Sequence, residues 1–295
     1  MPLSRRLPYK RRGDAYLSIG DFQKASEEYS IALQGNPNLT EAYQGRGMCR
    51  YALNDKLGAL ADFDNVILIN PNLAEAYLRR GAVYNNSGER LKAVEDFTQA
   101  LHLEPNSFEA YYYRGLAHFN LSKMQSAVED FTQALLLYPT HAESYYFRGL
   151  SYFNLGNRQD ALEDYSQTIQ LSPNYADAYY SRGCIYANLG ELQSALKDFT
   201  QAVRLNQDYV KAYYGRGWVY SQLKEEWKAI EDFTQAIRLQ PNYADAYSGR
   251  GAVRSALGDK LGAVEDYQKA AEAYHMLGDT SNYQKIQSEI VRISQ

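Results

Sequence analysis

The dipeptide Arg-Gly recurs every 34 residues, and this period constrains the fold more than any other feature of the sequence. Eight copies follow one another without insertion or deletion, at Arg12-Gly13, Arg46-Gly47, Arg80-Gly81, Arg114-Gly115, Arg148-Gly149, Arg182-Gly183, Arg216-Gly217 and Arg250-Gly251. A strict period of this length is typical of a stacked array, in which each unit buries its apolar face against its neighbours. We therefore expect eight copies of one supersecondary unit rather than one or two globular domains.

Two amphipathic helices are indicated in each repeat when its positions are numbered from seven residues before the Gly. Tyr stands at position 4 and Gly at position 8 of every repeat, and Tyr follows at position 11 in five of them. Spacings of four and three place these residues on one helical face. A second stripe occupies positions 20, 24 and 27, as in Ala93, Phe97 and Ala100 of the third repeat. Large rings opposite small residues predict an interdigitated helix pair.

Turn residues separate the two predicted helices. Position 15 is Gly or Asn in six repeats, which suits the left-handed residue that ends a helix, although Ser122 and Lys224 depart from this pattern. Pro at position 32 of six repeats predicts the end of the second helix. Gln207 takes this place in the sixth repeat, so we expect that helix to run on or to fray.

This pattern resembles the tetratricopeptide repeat (TPR) family over residues 6–277, and it is most like the long arrays of cyanobacteria and other bacteria. The resemblance implies an all-α fold, an α/α superhelical solenoid of eight helix pairs whose first helices line a concave groove that binds peptides or partner proteins. The predicted repeats are 6–39, 40–73, 74–107, 108–141, 142–175, 176–209, 210–243 and 244–277. Apolar residues at Tyr283, Ile286, Ile290 and Ile293 then predict a capping helix within 278–295.

An ion-pair ladder is predicted between two further positions. Position 7 is Arg in every repeat, and position 23 is acidic in every repeat: Glu28, Asp62, Asp96, Asp130, Asp164, Asp198, Asp232 and Asp266. An arginine on the buried side of a helix needs a charged or hydrogen-bonding partner. We therefore expect pairs that link the two helices of a repeat or adjacent repeats. Arg50 and Arg254, at position 11, are expected to join this network.

The resemblance places partner contacts at positions 2, 5, 6, 9, 12 and 13 of the first helices. Repeats four to seven carry aromatic residues there: Tyr112, Tyr113, Phe119, Tyr146, Phe147, Phe153, Tyr180, Tyr214 and Trp218. Exposed aromatic side chains on a concave surface behave as binding anchors, whereas the alternative is that they fill contacts between repeats. Both interpretations stay open at this point.

Amide and acidic side chains accompany these rings. Position 13 carries Asn120, Asn154, Asn188 and Gln222, which either pair with the backbone of an extended peptide or cap their own helix ends. Position 2 is acidic in six repeats, which suits the first turn of a helix and would favour a basic or neutral ligand. The family's clamp for heat-shock chaperone tails is not matched: Lys10 and Arg79 fit it, but Asp14, Gly45 and Glu75 do not.

Several classes of function are not expected. The net charge of −4 leaves a mildly acidic body, which argues against a nucleic-acid partner. No run approaches 18 apolar residues, so we expect no membrane span and a cytoplasmic location. Cys49 and Cys184 lie far apart and form no metal motif, and no cofactor or catalytic motif stands out, so we expect no enzyme.

The sequence thus predicts a non-enzymatic scaffold that binds an unidentified peptide or protein. Two alternatives remain: a structural or assembly factor that self-associates through its open ends, and the regulatory part of a larger enzyme.

Overall fold

The computed structural model describes residues 7–294, and these residues form seventeen α-helices and no strand. The predicted all-helical fold is therefore confirmed. The helices are α1 (Leu7–Ser18), α2 (Phe22–Gly35), α3 (Thr40–Ala52), α4 (Lys56–Ile69), α5 (Ala74–Asn86), α6 (Arg90–Leu103), α7 (Phe108–Asn120), α8 (Met124–Leu137), α9 (Ala142–Asn154), α10 (Arg158–Leu171), α11 (Ala176–Asn188), α12 (Leu192–Leu205), α13 (Val210–Gln222), α14 (Glu226–Leu239), α15 (Ala244–Ala256), α16 (Lys260–Met276) and α17 (Thr280–Ser294).

The chain divides between Asn157 and Arg158 into two compact halves. In the N-terminal half, α1 packs on α2, α3 on α4, α5 on α6 and α7 on α8, and each second helix also contacts the first helix of the next repeat. The C-terminal half repeats this arrangement from α10 to α16 and adds α17, which packs on α16. The fifth predicted repeat contributes α9 to one half and α10 to the other.

In the seven repeats whose two helices belong to the same half, the core is the ring at position 24, which lies against the glycine at position 8. Phe97 is fully buried, and a Cβ atom built on Gly81 would lie 2.8 Å from its ring. A glycine inside a helix costs roughly 1 kcal/mol relative to alanine. The close approach of ring and backbone explains why these seven repeats keep the glycine despite this cost.

The turns between the paired helices contain the left-handed residue that the sequence predicts. Ser122 and Lys224 adopt the left-handed conformation of the glycines at the same position, with φ of 58° and 61°. The expectation that the second helix of the sixth repeat runs on is wrong, because α12 ends at Leu205. Asn206 Oδ1 accepts a hydrogen bond from the backbone N–H of Asp208 at 3.0 Å. Asn36 and Asn70 make the same turn in repeats that carry the proline, so this helix ends in the same way without it.

The predicted ion-pair ladder is confirmed in seven repeats. The pairs are Arg12–Glu28, Arg46–Asp62, Arg80–Asp96, Arg114–Asp130, Arg182–Asp198, Arg216–Asp232 and Arg250–Asp266, with nitrogen–oxygen distances of 2.5–2.8 Å. In the fifth repeat, Arg148 belongs to the N-terminal half and Asp164 to the C-terminal half, so their pairing stays a prediction.

The arginine at position 7 also contacts groups other than its paired acid. Arg80 donates to Asp96 through Nε and Nη2, at 2.8 and 2.7 Å, and through Nη1 to Asp64 of the preceding repeat at 2.6 Å. Its guanidinium lies over the rings of Tyr77 and Tyr84, at 5.7 and 5.9 Å from their centroids. The same contact with the tyrosine at position 4 recurs in all eight repeats, at 5.4–5.9 Å. The arginine thereby accounts for an aromatic residue at position 4 of every repeat.

Where position 11 is not tyrosine, a polar residue reaches the ladder aspartate instead. Arg50 donates to Asp62 at 2.9 Å, and Arg254 donates to Asp266 at 3.0 Å, as predicted. In the fourth repeat, Nδ1 of His118 lies 3.0 Å from Oδ2 of Asp130. Position 11 therefore serves the ladder in two ways, by stacking on the arginine or by binding its acid.

The capping helix is confirmed at the end of the last repeat. Ile286 and Ile293 of α17 are buried in one cluster with Tyr267 and Tyr274 of α16, and Tyr283 and Ile290 pack against this cluster. The helix thus covers the apolar face that the last repeat would otherwise present to water.

A histidine begins α9. The backbone N–H of Ser144 donates to Nδ1 of His141 at 3.2 Å, so this ring serves as the N-cap and needs an unprotonated Nδ1. Burial lowers the pKa of His141 from its ordinary value of 6.5, against the opposing effect of nearby Glu143. The folded state therefore favours the neutral ring.

We expect the substitution Asp232→Ala to lower the free energy of unfolding by about 3–5 kcal/mol, because it leaves the Arg216 guanidinium without its counter-charge in a largely buried site. Urea denaturation followed by circular dichroism measures this loss. The control is Glu75→Ala, which removes an ion pair with Arg79 that is exposed to solvent and should cost less than about 1 kcal/mol. Equal losses in the two variants would contradict the structural role of the ladder.

We expect Ile286→Ala to destabilise the chain by about 2–5 kcal/mol, because the side chain is only 6% exposed within the cap cluster. Val291→Ala on the same helix is the control, since that side chain is 56% exposed and its truncation should change stability by less than about 0.5 kcal/mol. Thermal unfolding measures the melting temperatures of the two variants. Equal melting temperatures would show that the cap contributes nothing to stability.

We expect acid to destabilise the parent chain more than the variant His141→Asn. The folded-state pKa of His141 lies below 6.5, so its contribution is present above that pH and is lost as the pH falls below it. Asparagine keeps the N-cap and does not titrate. Unfolding free energies at about pH 7.5 and 5.5 test this linkage. The exposed His102→Asn variant is the control, and an identical pH dependence in parent and His141→Asn refutes the assignment.

Candidate peptide-binding surface

Two predicted aromatic residues of the N-terminal half cover the core rings of the preceding repeat. Tyr113, at position 6, stacks on Phe97 with ring centroids 6.0 Å apart, and Phe147 stacks on Phe131 at 6.1 Å. These rings fill contacts between repeats, which is the second interpretation that the sequence left open. Tyr113 nevertheless keeps 36% of its surface exposed and can also contact a partner.

Tyr112 belongs to an aromatic cluster that the sequence reasoning missed. Its ring lies 4.8 Å from His141 and 5.9 Å from Phe108, and Phe108 in turn meets Tyr138 edge-on at 5.3 Å. The Tyr112 hydroxyl donates to Glu143 at 2.8 Å. Aromatic residues at positions 1, 31 and 34 of the fourth repeat were the signal for this cluster. Tyr112 is thus half-buried by its own repeat.

The remaining predicted rings of the N-terminal half lie near the ends of α7 and α9. Phe119 meets Phe147 edge-on at 5.8 Å, and Tyr146 meets the same ring at 5.4 Å. Phe153 is exposed. This arrangement brings Phe119, Tyr146 and Phe147 together and leaves Phe153 as the most accessible ring of the group.

The predicted amide side chains serve their own helices in two cases. Asn154 donates to the carbonyl of Leu150 at 2.7 Å, and Asn188 donates to the carbonyl of Cys184 at 2.9 Å. The NH₂ groups of these two amides are therefore engaged within the helix. Asn120 and Gln222 are exposed at the ends of α7 and α13.

Acidic residues at position 2 are also engaged by the chain itself. Asp177 accepts a hydrogen bond from the hydroxyl of Tyr209 at 2.6 Å, and Asp245 accepts one from Tyr274 at 2.5 Å. Glu75 pairs with Arg79, and Glu143 accepts from Tyr112 as described above. Four of the six acids thus have partners within the chain, which weakens the argument that this row selects a basic ligand.

In the C-terminal half, four predicted residues line one pocket. Tyr180, Asn188, Tyr214 and Trp218 surround a cavity of about 220 Å³ between α11 and α13, with Phe199 of α12 at its base. Trp218 is 37% exposed at the wall of this cavity. The other lining residues, which the sequence reasoning missed, are Cys184, Ala187, Lys211 and Gly215.

Gly215, at position 6 of the seventh repeat, lines this pocket without a side chain. A Cβ atom at this residue would lie 2.9 Å from Cζ of Phe199, directly over the core ring. In the N-terminal half, Tyr113 and Phe147 occupy the same position and cover the corresponding rings. The absence of a side chain at Gly215 therefore lets the Phe199 ring pack against the backbone of α13, and comparing position 6 across the repeats was the missed signal.

The chemistry of the pocket is neutral except at one residue. Burial raises the pKa of Tyr180 and of Tyr214, and it also raises the pKa of the Cys184 thiol, which hydrogen-bonds to Tyr180. These groups are all uncharged near neutral pH. Lys211, an exposed residue, is the one charged side chain that lines the cavity.

Two further features of the described residues bear on function. Residues 7–294 contain no group of three or more histidine, cysteine or acidic side chains placed to hold a metal ion. Among the helices of this same range, none has both the length and the apolar character needed to cross a membrane.

Similar solved structures are helical repeat proteins. MamA is 31% identical, with a TM-score of 0.53 over 56% of this chain and 96% of that chain. YrrB, described as a TPR protein with an unusual peptide-binding site, is 25% identical, with a TM-score of 0.55 over 62% of this chain and 95% of that chain. The hetero-tetramer Cut9–Hcn1 of APC/C is 17% identical and shares the fold, with a TM-score of 0.62 over 93% of this chain and 53% of that chain.

Family models cover most of the sequence. Models described as tetratricopeptide repeat match residues 10–74, 74–107, 108–141, 176–209 and 210–243, and one described as TPR repeat matches residues 149–190. No curated protein matches the chain. The matched family and the paired helices agree, and the chain belongs to the tetratricopeptide repeat family.

Proposed function

We propose that this chain is a non-enzymatic scaffold that binds a peptide or a partner protein through the side chains of its first helices. The observation that carries this proposal is the pocket of the C-terminal half, where four independently predicted residues meet around one cavity. The described similarity to a peptide-binding TPR protein supports it. A cytoplasmic location stays a prediction.

The accessible rings have the character of interface anchors. Tyrosine and tryptophan dominate binding hot spots, because they bury a large area at little cost in conformational entropy and carry a polar atom. Trp218 in one half, and Tyr113 and Phe153 in the other, keep over a third of their surface exposed. A partner that covers such rings gains apolar burial without disturbing the ladder beneath them.

The alternative of self-association through an open C-terminal end is not proposed. Helix α17 covers that end and buries Ile286 and Ile293 against the last repeat. Its other positions are largely polar, as at Gln284, Lys285 and Gln287. A second copy would therefore meet a covered face rather than an open apolar one.

A pull-down of the full chain from its source cell identifies the partner, and titration then measures affinity. We expect Tyr146→Ala and Tyr180→Ala each to weaken binding by more than about 1 kcal/mol, the usual threshold for an interface anchor, while the helical circular dichroism stays unchanged. Trp227→Ala is the control, because this ring is 75% exposed on the second helix α14, outside the proposed surface. If both tyrosine variants bind as tightly as the parent, the assignment of the surface fails.

A further inference from the structure

Resting on the proposed function, we propose that the pocket between α11 and α13 binds one apolar side chain of a peptide and that Lys211 binds a carboxylate next to that side chain.

The size and lining of the pocket select an apolar side chain. Its volume of about 220 Å³ lies below the range of roughly 300–1,000 Å³ that is typical of small-molecule sites. Phe199, Tyr214 and Trp218 form an aromatic wall, and no acidic residue lines the cavity. Apart from Lys211 the lining is neutral and largely apolar, so an aliphatic or aromatic group fits best against its aromatic wall.

Polar atoms at the rim suit the backbone of a peptide. Asn188 donates its NH₂ group to the carbonyl of Cys184, which leaves its Oδ1 as an acceptor at the pocket. A backbone N–H on either side of the buried side chain is a suitable donor for this oxygen. An extended segment therefore satisfies the pocket and its rim together.

Lys211 supplies the preference for a carboxylate. It stands at position 2, where six other repeats carry an acid. It is exposed and has no ion pair with any of the residues that the structure describes. The position-2 acids of the flanking repeats, Asp177 and Asp245, accept hydrogen bonds from Tyr209 and Tyr274. Lys211 is thus the available charge at the pocket, and an ammonium group forms its strongest hydrogen bonds with carboxylates.

The eighth repeat provides an internal comparison. Gly249 also stands at position 6, and its Cβ atom would lie 2.8 Å from the core ring of Phe233. Positions 5 and 9 there are Ser248 and Ala252, and position 2 is Asp245. This place has the same glycine against a core ring but neither the aromatic walls nor the lysine, so it offers a matched control.

The test is selection of a random twelve-residue peptide library on the full chain. We expect the enriched peptides to share an apolar residue adjacent to an acidic residue or to a free C-terminus. Fluorescence anisotropy with one such synthetic peptide then measures affinity for each variant. Enriched peptides without that pairing would overturn the proposal.

Gly215→Tyr is designed to fill the pocket with a ring, as Tyr113 fills the corresponding place in the N-terminal half. We expect it to weaken binding about tenfold, which corresponds to the loss of one anchor contact, whereas Gly249→Tyr should leave affinity within about twofold. Circular dichroism confirms that each variant is folded. If Gly215→Tyr does not fold, Trp218→Ala takes its place in the comparison.

Lys211→Glu restores the acid found in other repeats. We expect about fivefold weaker binding and a reversed preference, so that the peptide whose acid is replaced by lysine binds this variant better than the parent peptide does. Lys197→Glu on α12 makes the same charge change away from the pocket and should have no effect.

The outcomes separate this inference from the proposed function. If selected peptides bind Gly215→Tyr and Lys211→Glu as tightly as the parent but lose affinity in Tyr146→Ala, the surface stands and the pocket assignment is wrong. If the parent enriches no peptide, the pocket assignment fails, and the pull-down decides the proposed function. Binding of free N-acetylleucine without any preference among peptides would make the pocket a small-molecule site and would also overturn the proposal.

Discussion

The pair of arginine and acid at positions 7 and 23 is the interaction on which the rest of each repeat depends. It joins the two helices of a repeat, reaches the preceding repeat through residues such as Asp64, and stacks on the tyrosine at position 4. Burial raises the pKa of Asp96 and of Asp232 despite their arginine partners, so desolvation offsets much of the attraction. We interpret the ladder as a device for register and specific packing, since a buried ion pair adds little net stability but is costly to break.

The ladder also decides which positions are free to vary. It occupies positions 4, 7 and 11 of each first helix, and the close approach to the core ring occupies position 8. Positions 5, 6, 9 and 12 carry no part of this network, and there the repeats differ from one another, from Tyr113 and Phe147 to Gly215. Variation at these positions changes the proposed binding surface while the same buried framework holds the helices, as in an array that presents different contacts along its length.

The period and the residue types were sufficient to predict the helix pairs and the ladder, because each follows from a contact that recurs along the array. The cap was predicted separately, from the apolar residues Tyr283, Ile286, Ile290 and Ile293. The role of a single ring was not predictable in the same way. Tyr113 and Trp218 were both predicted as aromatic binding residues of a first helix, but Tyr113, at position 6, stacks on Phe97, whereas Trp218, at position 9, borders a cavity. The role of His141 was missed because its partners Phe108 and Tyr112 stand at positions of its own repeat that lie outside the repeat signature.

At position 6, the fourth and fifth repeats carry a ring that makes a contact within the chain, whereas the seventh repeat carries a glycine and leaves that contact to the proposed partner. A ring at this position stacks on the core ring of the preceding repeat, and such a pair contributes about 0.5–1.5 kcal/mol beyond the burial of its area. Gly215 gives up that contact, yet Phe199 stays buried because Tyr180 packs against it at 5.9 Å. These repeats thus pack without the ring. The apolar side chain that we propose as the occupant of this pocket would lie against Phe199, as Phe147 lies against Phe131 of its preceding repeat.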